Sequence, residues 1–248
     1  MAEIDLAGKT ALVTGASRRI GRAIAVALAR QGVHIVLHYR NSSAESLRLA
    51  SALKKIGVRI WILAADFQNR EEYESLLERA LERAGNLDIL INNASRFTGE
   101  GINGLTLEKL VDDIEINAWV PFVLSRAFAQ RRKKGSIVHL LDSRISGNDR
   151  THIAYLLSKQ LLARFTALSA LEFAPGIRVN AVAPGAILPP PGGTRLYLEK
   201  LARELPLQRH GDPRDVAAAV LFLLRNPFIT GQVIFVDGGR HLQEESNG

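Results

Sequence analysis

The sequence contains no cysteine, one methionine and few aromatic residues, 6% of its 248 positions. Without cysteine there are no disulfides, no thiolate nucleophile and no Cys-ligated metal, and a cytoplasmic location is expected. No apolar run approaches the roughly 18 residues of a membrane-spanning helix. No membrane partner is therefore expected. The opening stretch, Met1-Ala-Glu-Ile-Asp5, lacks the basic and apolar regions of a secretory signal. Repeats, linkers and composition breaks are also missing, which predicts a single domain over 1–248.

Positive charge is in surplus: 32 Lys and Arg against 25 Asp and Glu leave +7. Such a balance suits nucleic acid, an anionic membrane or a phosphorylated small molecule, and position must decide among them. The densest cationic run, Arg131-Arg-Lys-Lys134, falls at a predicted helix end just before Gly135. There cations offset the helix dipole and stay solvated. Neither interleaved aromatics nor a reading element accompanies it, so no nucleic-acid partner is expected.

Hydrophobic residues make up 47% of the chain, and they alternate between short β-type runs and helical stripes. Lys9–Thr14, Val33–His38, Val58–Ala64, Leu87–Ile91, Ser136–Leu141, Ile177–Val182 and Thr230–Val236 read as strands. Between them, 19–31, 43–56, 107–130 and 152–173 read as helices. Asn69 with Glu72 looks like a capping box opening another, and Asp212-Pro213 with Asp215 opens the last. Near-continuous apolar strands separated by helices predict an α/β, doubly wound, seven-stranded parallel sheet covered on both faces, a single-domain Rossmann arrangement. The stretch 183–211 interrupts the rhythm and holds five of the nine prolines. It reads as a long loop acting as a lid.

After the first strand comes Thr14-Gly15-Ala-Ser-Arg-Arg-Ile-Gly21. Such a turn bends sharply and aims helix N-terminal N–H groups at a diphosphate. The second strand ends in His38-Tyr39-Arg40-Asn41-Ser42. A carboxylate there would bind a ribose and repel a 2′-phosphate, whereas Arg40 and Arg18 suit that phosphate, favouring NADP(H) over NAD(H). Tyr155 and Lys159 lie four apart and share a helical face. A nearby ammonium would lower the tyrosine pKa and make Tyr155 a proton donor near neutral pH.

Gly15 to Gly21, Asn92-Asn93-Ala94, Tyr155 to Lys159, Pro184-Gly185 and Val236-Asp237-Gly238-Gly239 occur in the order of the short-chain dehydrogenase/reductase family, which the chain resembles over residues 6–242. Three positions depart from the family pattern. Arg19 replaces the middle glycine of the turn, Ser95 follows Asn-Asn-Ala, and Asp142 stands where the family has its catalytic Ser. With Phe97 and the ending Asp-Gly-Gly-Arg-His-Leu242, these resemble the pteridine reductase and dihydromonapterin reductase branch. Arg at position 19 is tolerable only if the backbone there avoids positive φ, and its side chain then enters the cofactor cleft.

That resemblance implies roles. Gly15, Ser17, Arg18, Arg19, Ile20 and Gly21 would hold the diphosphate, and His38 to Ser42 the adenosine phosphate. Asp66 and Phe67 would contact the adenine, Asn93, Ala94 and Ser95 the ribose side. Pro184, Gly185 and Ile187 would line the remaining wall, and no metal is expected. Lys159 would hold the nicotinamide ribose, and Asn117 would support a water relay to it. Asp142 with Tyr155 would protonate a ring nitrogen, Phe97 would stack on the substrate, and Arg19, Ser95 and Leu188 would contact it, with Tyr197 on the lid side. A small pterin-like substrate and a homotetramer or homodimer, built on the helices at 107–130 and 152–173, complete the expectation. Ser143 adjoins Asp142, so a one-residue shift would instead give a 3-oxoacyl thioester, quinone or carbonyl reductase. A non-catalytic binding protein is the third reading, which the Tyr155, Lys159 and Asn117 set opposes.

Overall fold

The computed structural model describes residues 3–190 and 192–243. Seven strands, β1 (Thr10–Val13), β2 (His34–Tyr39), β3 (Ile60–Ala64), β4 (Ile89–Asn92), β5 (Gly135–Leu140), β6 (Ile177–Pro184) and β7 (Val233–Val236), form one sheet in the order β3-β2-β1-β4-β5-β6-β7. All neighbouring pairs are parallel. Successive strand residues face opposite sides, and both sides are buried. Ala11 and Val13, Ile35 and Leu37, and Ile89 and Ile91 pack on one face; Leu12, Val36 and Leu90 pack on the other. This double burial is the reason the strands read as continuous apolar runs.

On the first face lie α1 (Arg19–Arg30), α2 (Ser43–Lys54) and α8 (Pro213–Arg225). The second carries α3 (Arg70–Ala84), α5 (Val120–Arg131) and the buried side of α6 (Ile153–Glu172). Strand order reverses between β1 and β4, so the loops after them diverge and leave a crevice at the strands' carboxyl ends. Most residues of the candidate site hang on that edge or on a helix beginning there.

Local details differ from expectation in three places. The helix expected over 107–130 is three segments: α4 (Leu107–Ile114), a π-helical turn at Glu115–Trp119, and α5. The lid stretch is not all loop, because α7 (Arg195–Glu204) lies within it, capped by Thr194 accepting from the Tyr197 N–H. Thr194 offers the N-cap signal once the preceding glycines end the proline run; Pro191 lies outside the described residues. At α3, Asn69 accepts from the Glu71 N–H, but Glu72 accepts from the Asn69 side chain and the Asp66 N–H. The reciprocal box is therefore absent there. It is present at α8, between Asp212 and Asp215.

Candidate active site

The crevice is a cleft of about 890 Å³, the upper end of the range for small-molecule sites. It is lined by every residue assigned above to cofactor or substrate, and by Asp142, Tyr155 and Lys159; Asn117 is the exception.

The turn after β1 is locked to the end of β4. Thr14 Oγ1 accepts from the N–H groups of Asn93 (2.9 Å) and Ala94 (3.0 Å), while Asn93 Nδ2 donates to Thr14 O (2.8 Å) and Gly15 O (3.2 Å). Gly15 has φ 62°, and a Cβ on Gly21 would sit 2.2 Å from Gly15 O. Both positions need glycine. Between them Arg19 opens α1 at φ 53°, so the expectation that this backbone avoids positive φ is overturned. An arginine holds the left-handed conformation at a cost of about 1–2 kcal/mol. Compensation comes from the lid, where Arg19 Nη2 donates to Pro189 O at 2.7 Å. Burial lowers the pKa of this guanidinium.

The rest of the cradle runs from the first turn to the end of β2. Arg18 Nε donates to Ser42 Oγ at 2.8 Å, joining the first turn to the end of β2, and half-exposed Arg40 lies 4.0 Å from Asp66. Glycine turn, helix N-terminus and paired cations fit a dinucleotide with an extra phosphate. His38 works from beneath. Gly15 N–H donates to its Nδ1 (3.2 Å), and its Nε2 bonds Ala65 O (3.0 Å), so the ring is neutral with its proton on Nε2. Burial pushes its pKa down to about 4. The ring stacks on Phe67 at 4.6 Å, which makes it a floor beneath the turn.

At the other end, Asp142 follows β5 and caps the short turn Ser143–Ser146, accepting from the Arg144 N–H at 2.9 Å. Its second oxygen accepts from the Tyr155 hydroxyl at 3.0 Å. Ser143 is 1% exposed, its Oγ has no hydrogen-bond partner, and it does not line the cleft. Position 142, and not 143, therefore meets Tyr155. The ammonium effect expected on Tyr155 is reversed: its pKa is raised well above the ordinary value, first by burial and then by the Asp142 carboxylate. Lys159 instead donates to Leu140 O at 2.8 Å, and burial lowers its pKa to about 8 against a smaller upward pull from Asp142. Its Nζ lies 5.8 Å from the Tyr155 ring centre.

Asn117 also departs from expectation. On the π-helical turn, its Oδ1 accepts from Ser95 Oγ (2.9 Å) and the Arg96 N–H (2.8 Å), and its Nδ2 donates to Arg96 O (2.9 Å) and Ser158 Oγ (3.0 Å). The side-chain amide is fully engaged, so a relay to Lys159 does not run through that side chain. It braces the loop that carries Ser95 and Phe97 instead. Arg96 adds a second brace through Asp112 at 2.9 Å.

Phe97 reaches the cleft, but its ring already has protein partners: His152 parallel at 4.4 Å, Tyr155 edge-on at 4.8 Å, and the Arg144 guanidinium 5.1 Å above. Arg96, Arg144, His152 and Arg240 line the cleft and were missed in the sequence. His152 was findable, three residues before Tyr155 on the same helix face. Arg240 was not, since only the packing of β7 beside β6 carries it there. Leu188 and Tyr197 line the cleft from the 183–211 stretch. Elsewhere Arg131 pairs with Glu78 at 2.9 Å. Among the described residues no helix is long and apolar enough to cross a membrane, and no side-chain cluster suits a metal.

A glycine cradle at the switch point of a parallel sheet, with a buried tyrosine and lysine at its far end, defines a dinucleotide-dependent oxidoreductase. Residues 15–241 match the family described as Enoyl-(Acyl carrier protein) reductase. The chain belongs to the short-chain dehydrogenase/reductase family. It is 32% identical to a 3-oxoacyl-[acyl-carrier-protein] reductase of Synechocystis, over 94% of this chain and 97% of that one. Glucose 1-dehydrogenase 2 of Bacillus subtilis is 31% identical, over 96% of both chains. Among solved structures, FolM Alternative dihydrofolate reductase 1 of Brucella canis, complexed with NADP, superposes with a TM-score of 0.93 at 31% identity, covering 98% of this chain and 97% of that one.

Proposed function

We propose that the protein is an NADPH-dependent reductase of dihydropterins, forming tetrahydropterins. The observation that carries this reading is the Tyr155–Asp142 hydrogen bond, with Ser143 buried outside the cleft. A reductase of carbonyls is served by hydroxyl donors at the developing oxyanion. A carboxylate there disfavours negative charge, and suits a substrate with N–H donors and a ring nitrogen that gains a proton. NADPH, when bound, supplies the hydride to the ring carbon of the C=N bond. Tyr155 holds the proton that the adjacent nitrogen takes, since burial and Asp142 keep its hydroxyl protonated. Arg18 and Arg40 hold the adenosine phosphate, Gly15 to Gly21 the diphosphate, and Lys159 the inner ribose. Arg19 and Ser95 face the substrate's polar edge. The likeness to the Brucella protein, by its description, supports both cofactor and substrate class.

Association into a homodimer or homotetramer through α4 to α6 is part of the same reading, supported by exposed Leu107, Trp119 and Leu168 on those helices. The 3-oxoacyl thioester reading draws on the relatives' names but would need Ser143 in the cleft. The deciding assay is NADPH consumption with dihydrobiopterin, dihydromonapterin, dihydrofolate and an acetoacetyl thioester. Turnover of a dihydropterin is expected; turnover of the thioester alone refutes the proposal.

A further inference from the structure

Beside Tyr155 lies a histidine–aspartate pair that the reaction outlined above does not use. His152 Nδ1 meets Asp149 Oδ2 at 2.9 Å. Thr151 donates to the other carboxylate oxygen through both N–H (2.8 Å) and Oγ1 (2.7 Å), and Arg144 Nε stands 3.3 Å from Oδ2. Burial alone would raise the Asp149 pKa, but the two Thr151 hydrogen bonds and then the Arg144 charge outweigh it and the net shift is downward. Nδ1 also lies 2.8 Å from Thr151 Oγ1, whose own proton goes to Asp149. With two acceptors against Nδ1, the neutral imidazole carries its proton there and presents Nε2 as an acceptor lone pair. Among the described residues nothing hydrogen-bonds to Nε2.

Neither helix capping nor loop closure accounts for the side chain. His152 is the N-cap residue of α6 yet makes no side-chain capping bond, and its backbone is held separately, beside Glu100, by the Ile153 N–H donating to Glu100 O at 3.1 Å. What the imidazole does is extend the Phe97 ring into a two-ring wall of the cleft. Its side chain is 23% exposed, so it stands at the rim, while Asp142 and Tyr155 occupy the interior. A ring held at Tyr155 meets the rim with its substituent rather than with its own edge.

We propose that His152, oriented by Asp149, is a specificity-determining residue that accepts a hydrogen bond from a hydroxyl on the substrate's side chain. The assignment rests on the dihydropterin reading and selects, within that class, substrates bearing a hydroxyalkyl group. An imidazole without the carboxylate would divide between tautomers and offer a donor half the time; Asp149 removes that ambiguity. Asp149 is thus a positioning residue, acting through His152.

The test compares wild-type enzyme, His152→Phe and Asp149→Ala with dihydrobiopterin and with 6-methyl-dihydropterin, which lacks the hydroxyls. Phenylalanine keeps the stack on Phe97 and removes the acceptor. With dihydrobiopterin, KM is expected to rise about tenfold in His152→Phe and severalfold in Asp149→Ala, at a kcat within about twofold, as for one lost hydrogen bond. With the methyl compound KM stays within about twofold, and NADPH binding followed by fluorescence is unchanged. Equal losses with both pterins, or no loss with either, overturn the assignment while leaving the dihydropterin reading intact. If wild-type enzyme turns over no dihydropterin, dihydromonapterin and dihydrofolate included, that reading falls and the assignment with it. Should His152→Phe fail to fold, Asp149→Ala decides alone by the same selectivity.

Discussion

Exchanging Asp142 for asparagine tests the site most directly, because the carboxylate serves two donors at once. One oxygen accepts from the Arg144 N–H at 2.9 Å and the other from the Tyr155 hydroxyl at 3.0 Å. An amide has one acceptor oxygen, so Asp142→Asn must abandon one donor. Asparagine caps turns as well as aspartate, so the cap survives and Tyr155 faces an amide NH2 in place of its charged acceptor, losing a charge-assisted hydrogen bond worth about 1.5–3 kcal/mol. The carboxylate's upward pull on the Tyr155 pKa disappears with it. In the variant kcat should fall roughly 10²–10⁴-fold, the range for one general acid–base partner. Ultraviolet titration should place the tyrosine pKa lower than in wild type. Ser143→Ala is the control: its buried hydroxyl bonds to nothing, and removing an unsatisfied group costs no interaction. Its kcat should stay within about twofold of wild type and its Tm should hold or rise. A larger loss in Ser143→Ala than in Asp142→Asn refutes the assignment and moves the chemistry one residue along.

Three further outcomes are expected. Lys159 carries its ammonium below its depressed pKa of about 8 and loses it above, so kcat for reduction should fall as pH rises through about 8; a flat profile to about pH 9.5 contradicts the role given to the charge. His139 and His38 are held neutral with pKa values of about 3 and about 4, chiefly by burial, so the unfolded chain binds protons below about 6.5 that the fold refuses. Stability is full above that pH and drops as pH falls; at pH 5 each should cost about 2 kcal/mol. Urea midpoints at pH 7 and 5 measure the drop, and His139→Gln should remove about half of it, an unaltered drop being the contrary result. Finally, Arg19→Gly relieves a left-handed residue but loses the bond to Pro189 O. These terms of about 1 kcal/mol nearly cancel. Stability should barely move while KM for the dihydropterin rises, and a loss beyond about 2 kcal/mol contradicts this accounting.

The fold was legible because its signals are local. A parallel strand buried on both faces must be apolar at consecutive positions, as Ala11–Leu12–Val13 is, and glycines at 15 and 21 mark a turn whose Cβ atoms would collide. Helix spacing likewise put Tyr155 and Lys159 on one face. What the sequence hid is pairwise and three-dimensional. Residue spacing suggested that Lys159 governs the Tyr155 hydroxyl, but burial and Asp142 do. Family pattern offered Asn117 as a relay member, whereas its amide is consumed by Ser95, Arg96 and Ser158. The sign of φ at Arg19 could not be read either, since side-chain identity argues against the conformation that the turn enforces.

Arg19, Ser95 and Asp142 are far apart in the chain, but they follow β1, β4 and β5, which are neighbours in the sheet. Adjacent parallel strands run about 4.8 Å apart, so the three departures from the family pattern stand side by side along one carboxyl edge. Each also changes the edge in a consistent way. Arginine for glycine adds N–H donors, serine for glycine adds a hydroxyl oxygen that accepts while its proton is held by Asn117, and aspartate for serine adds acceptor capacity. A simple carbonyl substrate presents one oxygen and could engage only a fraction of these groups. A flat heterocycle presents donors and acceptors alternately along its rim, so on the proposed dihydropterin reading a row of mixed polarity with the spacing of three strands would be its complement. On that reading the three positions would act as a set, because they share the carboxyl edge of three adjacent strands, beginning where the sheet reverses its winding.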